Sequence, residues 1–150
     1  MSKQQLIKDF VDQKKLAVVG VSRAGNKFGN MAYNELKQKG YQVFAIHPEA
    51  ETVEGDKAYP SFKALPEAVD GVVLVVPPQQ TEKVVQDAAA AGIKRIWMQQ
   101  GAESDKAIQF CQENGIDVVS HECVMMYARP VKFPHSLHRW IWGLMGKLEQ

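Results

Sequence analysis

Apolar residues along this chain recur in two rhythms that alternate from one end toward the other. Leu16–Val19, Tyr41–Ile46, Asp70–Val76, Lys94–Met98 and Ile116–Ser120 are short, nearly continuous apolar runs rich in β-branched residues. Such runs read as strands covered on both faces. Between them the apolar positions step by three and four, which predicts helices. Leu6, Ile7, Phe10 and Val11 share one face of a helix over residues 3 to 13 or so. Phe28, Ala32 and Leu36 share a face of a second helix, which ends at Gly40. Val84, Val85, Ala88 and Ala89 point inward from a third, about 80 to 91, and Ala107, Ile108 and Cys111 from a fourth. Strand ends that open into Gly or Pro turns followed by a helix predict an α/β fold with a doubly wound, mostly parallel sheet. The expected sheet has five or more strands in the order 3-2-1-4-5, with N- and C-terminal helices and a right-handed first crossover.

Two stretches fall outside this alternation. Residues 49 to 66 are polar, with Gly55, Pro60 and Pro66, and read as a solvated excursion carrying a short extended piece around Ala58-Tyr59 and a helical turn from Ser61. Beyond Pro134, Leu137, Trp140, Ile141, Leu144, Met145 and Leu148 mark a last helix. Gly143 and Gly146 weaken it by about 1 kcal/mol each relative to Ala, so packing on its own domain or a homodimer contact must hold it.

Size and composition narrow the function classes. With 150 residues, 45% of them hydrophobic, the chain suits one buried core, and residues 1–150 read as a single domain. The net charge of +1, with acids and bases interspersed, leaves no broad basic surface for nucleic acid. Only Cys111 and Cys123 occur, without a Cys-x-x-Cys pair, and Met-Ser-Lys-Gln-Gln at the start is no signal region. No apolar run approaches the roughly 20 residues of a membrane span, so the expected setting is cytoplasmic.

The chemistry concentrates where the first strand breaks into Gly20-Val21-Ser22-Arg23-Ala24-Gly25-Asn26-Lys27-Phe28-Gly29. Gly20 lets the chain turn sharply out of the sheet, and the unpaired N–H groups of the following helix favour an anion. Arg23 and Lys27 add charge suited to a phosphate. The spacing is longer than the Gly-x-Gly-x-x-Gly dinucleotide fingerprint, with serine at its second glycine, and there is no Gly-Lys-Ser/Thr of a triphosphatase loop. A plainer reading is that Gly20 and Gly29 serve only a tight turn and close helix–sheet packing. At the second strand's end, where NAD-binding units carry an acid for the ribose, this chain has His47-Pro48. Val76-Pro77-Pro78 and Gln99-Gln100-Gly101-Ala102 end the next strands and face the same crevice. No Ser–His–acid set, metal-ligand spacing or paired carboxylates emerges, so neither a catalytic nor a metal residue is assigned. His121, Glu122 and Cys123 are consecutive and cannot all point one way. His135 and His138 read as surface residues at a helix entry.

Taken in order, Val18-Val-Gly-Val-Ser-Arg23, Gly40-Tyr-x-Val43, His47-Pro48, Gly55-x-x-x-Tyr59-x-Ser61, Asp70-x-Val-Val, Val76-Pro77, Gly92-x-Lys94-x-Ile96-Trp97 and Gln100-Gly101-Ala102 resemble the small stand-alone CoA-binding domain family. The resemblance runs from about residue 10 to 127 and extends to the N-terminal CoA-binding domain of the succinyl-CoA synthetase α subunit and related NDP-forming acyl-CoA synthetases. It implies a Rossmann-like fold. By it, Gly20, Val21, Ser22, Arg23, Lys27, Phe28 and Gly29 surround the CoA phosphates and adenosine, with His47 and Pro48 at the second strand's end. Val76, Pro77, Gln99 and Gly101 line the way to the pantetheine arm. Many members have asparagine where this chain has His47. The larger synthetases add a phosphohistidine domain and a nucleotide-grasping partner, so for this chain the resemblance implies non-catalytic binding of CoA or an acyl-CoA. An NAD(P)-dependent oxidoreductase or redox sensor using the same cleft, and a structural partner recruited through the Trp140-Trp142 helix, are the alternatives.

Overall fold

The structure is a computed structural model and describes residues 1–25 and 27–128. The last helix expected beyond Pro134, with His135, His138 and the proposed dimer contact, lies outside the described residues. The elements follow in the order α1 (Lys3–Val11), β1 (Lys15–Val19), α2 (Phe28–Gln38), β2 (Gln42–Ile46), β3 (Thr52–Val53), β4 (Asp56–Tyr59), β5 (Gly71–Leu74), α3 (Pro78–Ala90), β6 (Arg95–Met98), α4 (Asp105–Glu113) and β7 (Asp117–Val119), with single 3-10 turns at Phe62–Ala64 and Val124–Met126. No helix among the described residues is long and apolar enough to cross a membrane.

The sheet runs β3-β4-β2-β1-β5-β6-β7, parallel throughout except for the antiparallel β3–β4 pair. Numbered among themselves, the parallel strands stand 3-2-1-4-5-6, a Rossmann-like order that contains the expected 3-2-1-4-5. The third place, however, belongs to Asp56–Tyr59, which the sequence presents only as a short extended piece. The plain β-branched run at Asp70–Val76 supplies β5, on the far side of β1 from β2. Residues 49 to 66 are thus more than a solvated loop. Glu54 and Gly55 both take positive φ, 50° and 78°, and close a tight hairpin that brings β4 alongside β2.

Strand periodicity sorts the side chains into two cores. Ala58, Ala45, Val18, Val73, Trp97 and Val119 stand in register across six strands and face α1 and α2. The row begins with alanines, where Tyr33 of α2 packs, and widens to Trp97, whose ring lies 5.3 Å from that of Phe10 in α1. Ala17, Val72, Leu74, Ile96 and Met98 point to the other face, under Val85, Ala88, Ala107 and Cys111 of α3 and α4. Each fully buried Val or Leu of these rows is worth about 1.5–3 kcal/mol relative to exposure.

The hairpin is also tied to α2 by charge. Asp56 accepts hydrogen bonds from the Lys37 ammonium and the Tyr33 hydroxyl, both at 2.7 Å. These partners hold its carboxyl below the usual carboxylate range, the lysine bond contributing most. The stabilisation is therefore present above the unfolded-state carboxylate range and is lost as pH falls through the lowered folded value.

Candidate functional site

Every predicted loop lies along one edge of the sheet, at the carboxyl ends of β1, β2, β5 and β6. In an open α/β sheet this edge is where ligands sit, and β1, where the connections diverge, is its switch point. Gly20 leaves β1 with φ of 115° and rests against the chain beyond β5, where a Cβ on Gly20 would stand 2.0 Å from the Val75 carbonyl oxygen. Gly29, in the first turn of α2, presses in turn on Gly20, for its Cβ would lie 2.2 Å from the Gly20 oxygen. The two glycines stack three backbones into contact and bring the start of α2 over the strand ends.

The loop between them is held by Asn30, a residue the sequence reading missed. Its side chain is 2% exposed, its oxygen accepts from the Ser22 N–H at 2.9 Å and its NH2 donates to the Ser22 carbonyl at 2.8 Å. The same NH2 donates to Glu54 at 3.4 Å, and Asn34 donates to that carboxylate at 2.9 Å, so the hairpin tip backs the loop from behind. Within the loop the Ser22 hydroxyl accepts from the Ala24 N–H at 3.0 Å. The only advance signal for Asn30 is a polar residue beside the buried positions of the helix, one turn before Asn34.

Helix α2 begins at an extended Lys27 with no side-chain cap, and α3 begins at Pro77-Pro78 likewise uncapped. By contrast Ser2 and Ser104 cap α1 and α4. The uncapped α2 terminus offers free N–H donors and the positive end of its dipole at the crevice. Lys27 and Arg23 are exposed beside it, and Arg23 meets Glu49, three residues past the end of β2, at 3.5 Å. Both members of that pair are more than half exposed, so it is a weak tether that an anion can displace.

His47 and Pro48 end β2 as expected. The His47 ring accepts at Nδ1 from the backbone N–H groups of Glu49 and Ala50, at 3.0 and 2.9 Å, which places its proton on Nε2. An asparagine carboxamide oxygen is suited to the same acceptor task. The histidine therefore shapes the turn that presents Pro48. Beside it opens a cavity of about 430 Å³ walled by Val19, Ile46, Pro48, Pro60, Phe62 and Val84, with Lys63 at its rim. Phe62 and Val84 were not anticipated as site residues, because the 3-10 turn and α3 reach this edge only in the folded sheet.

Val76 and Pro77 continue the chain past Val75, and Gly101, with φ of 93°, exposes its backbone beyond β6. Gln99 is placed differently from the rest. It is 1% exposed, its oxygen accepts from the Val124 N–H at 2.5 Å and its NH2 donates to the Cys123 sulfur at 3.3 Å. Its amide thus braces the turn after β7. That turn frames a second cavity of about 590 Å³, on the α2 side of the sheet, lined by Phe28, Gln100, Cys123, Met125, Met126 and Tyr127 together with Glu122. Burial pushes the Cys111 thiol up to about 12, which leaves the half-buried Cys123 as the more accessible thiol. His121 has φ of 63° and lies 3.6 Å from Glu103, so it forms no pair with Cys123.

A family profile described as a CoA binding domain matches residues 14–129. The chain is 25% identical over 123 residues to the Bacillus subtilis protein YneT, covering 82% of this chain and 91% of that one. It is 25% identical over 126 residues to the alpha subunit of acetate–CoA ligase [ADP-forming] II of Pyrococcus furiosus, covering 77% of this chain but only 28% of the subunit. Among solved structures, a conserved hypothetical protein of Pyrococcus furiosus superposes with a TM-score of 0.71 at 38% identity, over 75% of this chain and 97% of that one.

Proposed function

The chain belongs to the CoA-binding domain family, and from that premise we propose that it binds CoA or an acyl-CoA along the carboxyl edge of its sheet. The observation that carries this reading is the uncapped start of α2, set against β1 by Gly20 and Gly29 with a cavity on either face of the sheet beside it. A ligand with a diphosphate at its middle and unlike ends suits that arrangement. The phosphates meet the N–H groups of the first turn, with Ser22, Arg23 and Lys27 around them. The adenine fills the slot between Pro48, Phe62 and Val84. The pantetheine arm leaves over Val76, Pro77 and Gly101. A cytoplasmic setting, where thiols stay reduced, fits both this ligand and two free cysteines. The single-domain reading of residues 1–150 stands as part of the same proposal.

Titration calorimetry at fixed salt tests the ligand. CoA carries a ribose phosphate beyond its diphosphate and should bind tighter than NAD. Arg23→Ala and Lys27→Ala should each weaken CoA by about three- to tenfold, since charge-assisted contacts of exposed side chains lose part of their value to solvent. Tighter binding of NAD, or full CoA affinity in both variants, would favour the oxidoreductase reading of the cleft.

The role we assign is binding without ligation. Incubated with CoA, acetate and a nucleoside triphosphate, the pure protein should form no acetyl-CoA. Thioester above a protein-free control would make the chain a ligase in its own right.

A further inference from the structure

We propose that the second cavity receives the acyl group of a thioester, and that the preferred ligand is an acyl-CoA with an uncharged, apolar chain longer than acetyl. The inference rests on the CoA reading above and names its substrate class. Among the described residues the exposed large hydrophobic side chains are Met1, Phe28, Met31, Met126 and Tyr127. Three of them, Phe28 at 45%, Met126 at 79% and Tyr127 at 36% exposure, line this one cavity. Met31, 58% exposed, follows Phe28 by one turn of α2. Apolar exposure of this kind, gathered at a concave site, marks a place where apolar matter binds.

Position ties the cavity to the phosphate site. Phe28 is the first residue of α2, so its backbone N–H belongs to the proposed phosphate cradle while its ring forms a wall of the cavity. Gln100, beyond β6, lines the cavity and is followed in the chain by Gly101, over which the pantetheine arm is proposed to run. A thiol end that follows this course meets the cavity mouth, and whatever the sulfur carries is delivered inside.

The walls also select by character. Met125 and Met126 are unbranched and adaptable, suited to chains of varied length. Glu122 stands at the edge, accepting from Tyr127 Oη at 3.0 Å and paired with Lys3 at 3.0 Å, and these partners hold its carboxyl below the usual carboxylate range, the Lys3 bond contributing most. The pair neutralises Glu122, and Lys3, 53% exposed against 27% for Glu122, is its more accessible member, so no net charge is left at the rim. A second carboxylate on the acyl group would be desolvated against methionine, with no lysine or arginine among the described lining residues to compensate it.

Calorimetry on the full chain with acetyl-, butyryl-, hexanoyl- and succinyl-CoA tests this. Hexanoyl-CoA should bind at least about tenfold tighter than acetyl-CoA, and succinyl-CoA about tenfold weaker than butyryl-CoA, which has the same number of acyl carbons. In Met126→Gln the hexanoyl-to-acetyl ratio should shrink to below about threefold. As a second readout, hexanoyl-CoA at saturation should slow maleimide labelling of Cys123 at least about tenfold, and acetyl-CoA clearly less. Equal affinities for acetyl- and hexanoyl-CoA overturn the acyl inference and leave CoA binding intact. Failure of every thioester and of CoA to bind overturns both.

Discussion

Gly20→Ala should destabilise the protein by about 3 kcal/mol or more, with loss of CoA binding wherever the variant still folds. The new methyl would stand 2.0 Å from the Val75 oxygen and 2.7 Å from its carbonyl carbon, both backbone atoms. Val75 cannot retreat freely, because its N–H donates to Val19 at 2.8 Å and extends the β1–β5 pairing. Overpacking of this kind costs about 1–3 kcal/mol, and a φ of 115° adds about 1–3 kcal/mol for a residue with a Cβ. In a chain of this size the sum lowers Tm by about 10 °C. Gly55→Ala is the control. Its φ is 78° but nothing lies within 4 Å of the added carbon, so only the backbone cost of about 1 kcal/mol should be seen. If urea unfolding finds the two variants equal, close approach of the strand ends is not what Gly20 provides.

Asn30→Ala should cost about 2–3 kcal/mol and weaken CoA roughly tenfold. The substitution leaves the Ser22 N–H without its partner and the Ser22 carbonyl with only the 3.4 Å bond from the Gly25 N–H, at a half-buried site. Each lost bond costs about 1 kcal/mol or more, and the packing of the buried Asn30 side chain is lost with them. Binding suffers because the loop must then be ordered by the ligand, which draws on the interaction free energy. Asn30→Asp separates packing from hydrogen bonding. It retains the acceptor for Ser22 N–H, loses the donor to Ser22 and sets a carboxylate against Glu54. Adding Glu54→Gln should restore part of the stability, and the double-mutant cycle measures that coupling. Wild-type affinity in Asn30→Ala would show that the loop needs no support from beneath.

The alternation of strands and helices, the parallel sheet and the loop after β1 were legible in the chain because each rests on local pattern. A strand buried on both faces has to be apolar without interruption, as at Leu16–Val19 and Gly71–Leu74, and a helix on its face has to repeat at three and four. Gly20 announces its turn by standing where the apolar run stops. The β3–β4 hairpin carried no such mark. Thr52–Val53 forms the sheet's edge and Asp56–Tyr59 the next strand in; both are short and have the composition of a loop, and only pairing with each other and with β2 makes them strands of the sheet. That pairing moves the Asp70–Val76 run from the third place among the parallel strands to the fourth. The same limit governs the site. Sequence order placed Gly20, Ser22, Lys27, Gly29, Pro48, Pro77 and Gly101 at strand ends, and the folded sheet lines those ends up along one edge. Which side chains turn into the crevice was decided by contacts between residues far apart in the chain. Asn30 turns down to Ser22 and Glu54, Gln99 turns away to brace Cys123 and Val124, and Phe62, Val84 and Met126 arrive from separate elements to wall the two cavities. Periodicity reports the face on which a residue lies, whereas its partner across that face exists only once the layers have packed.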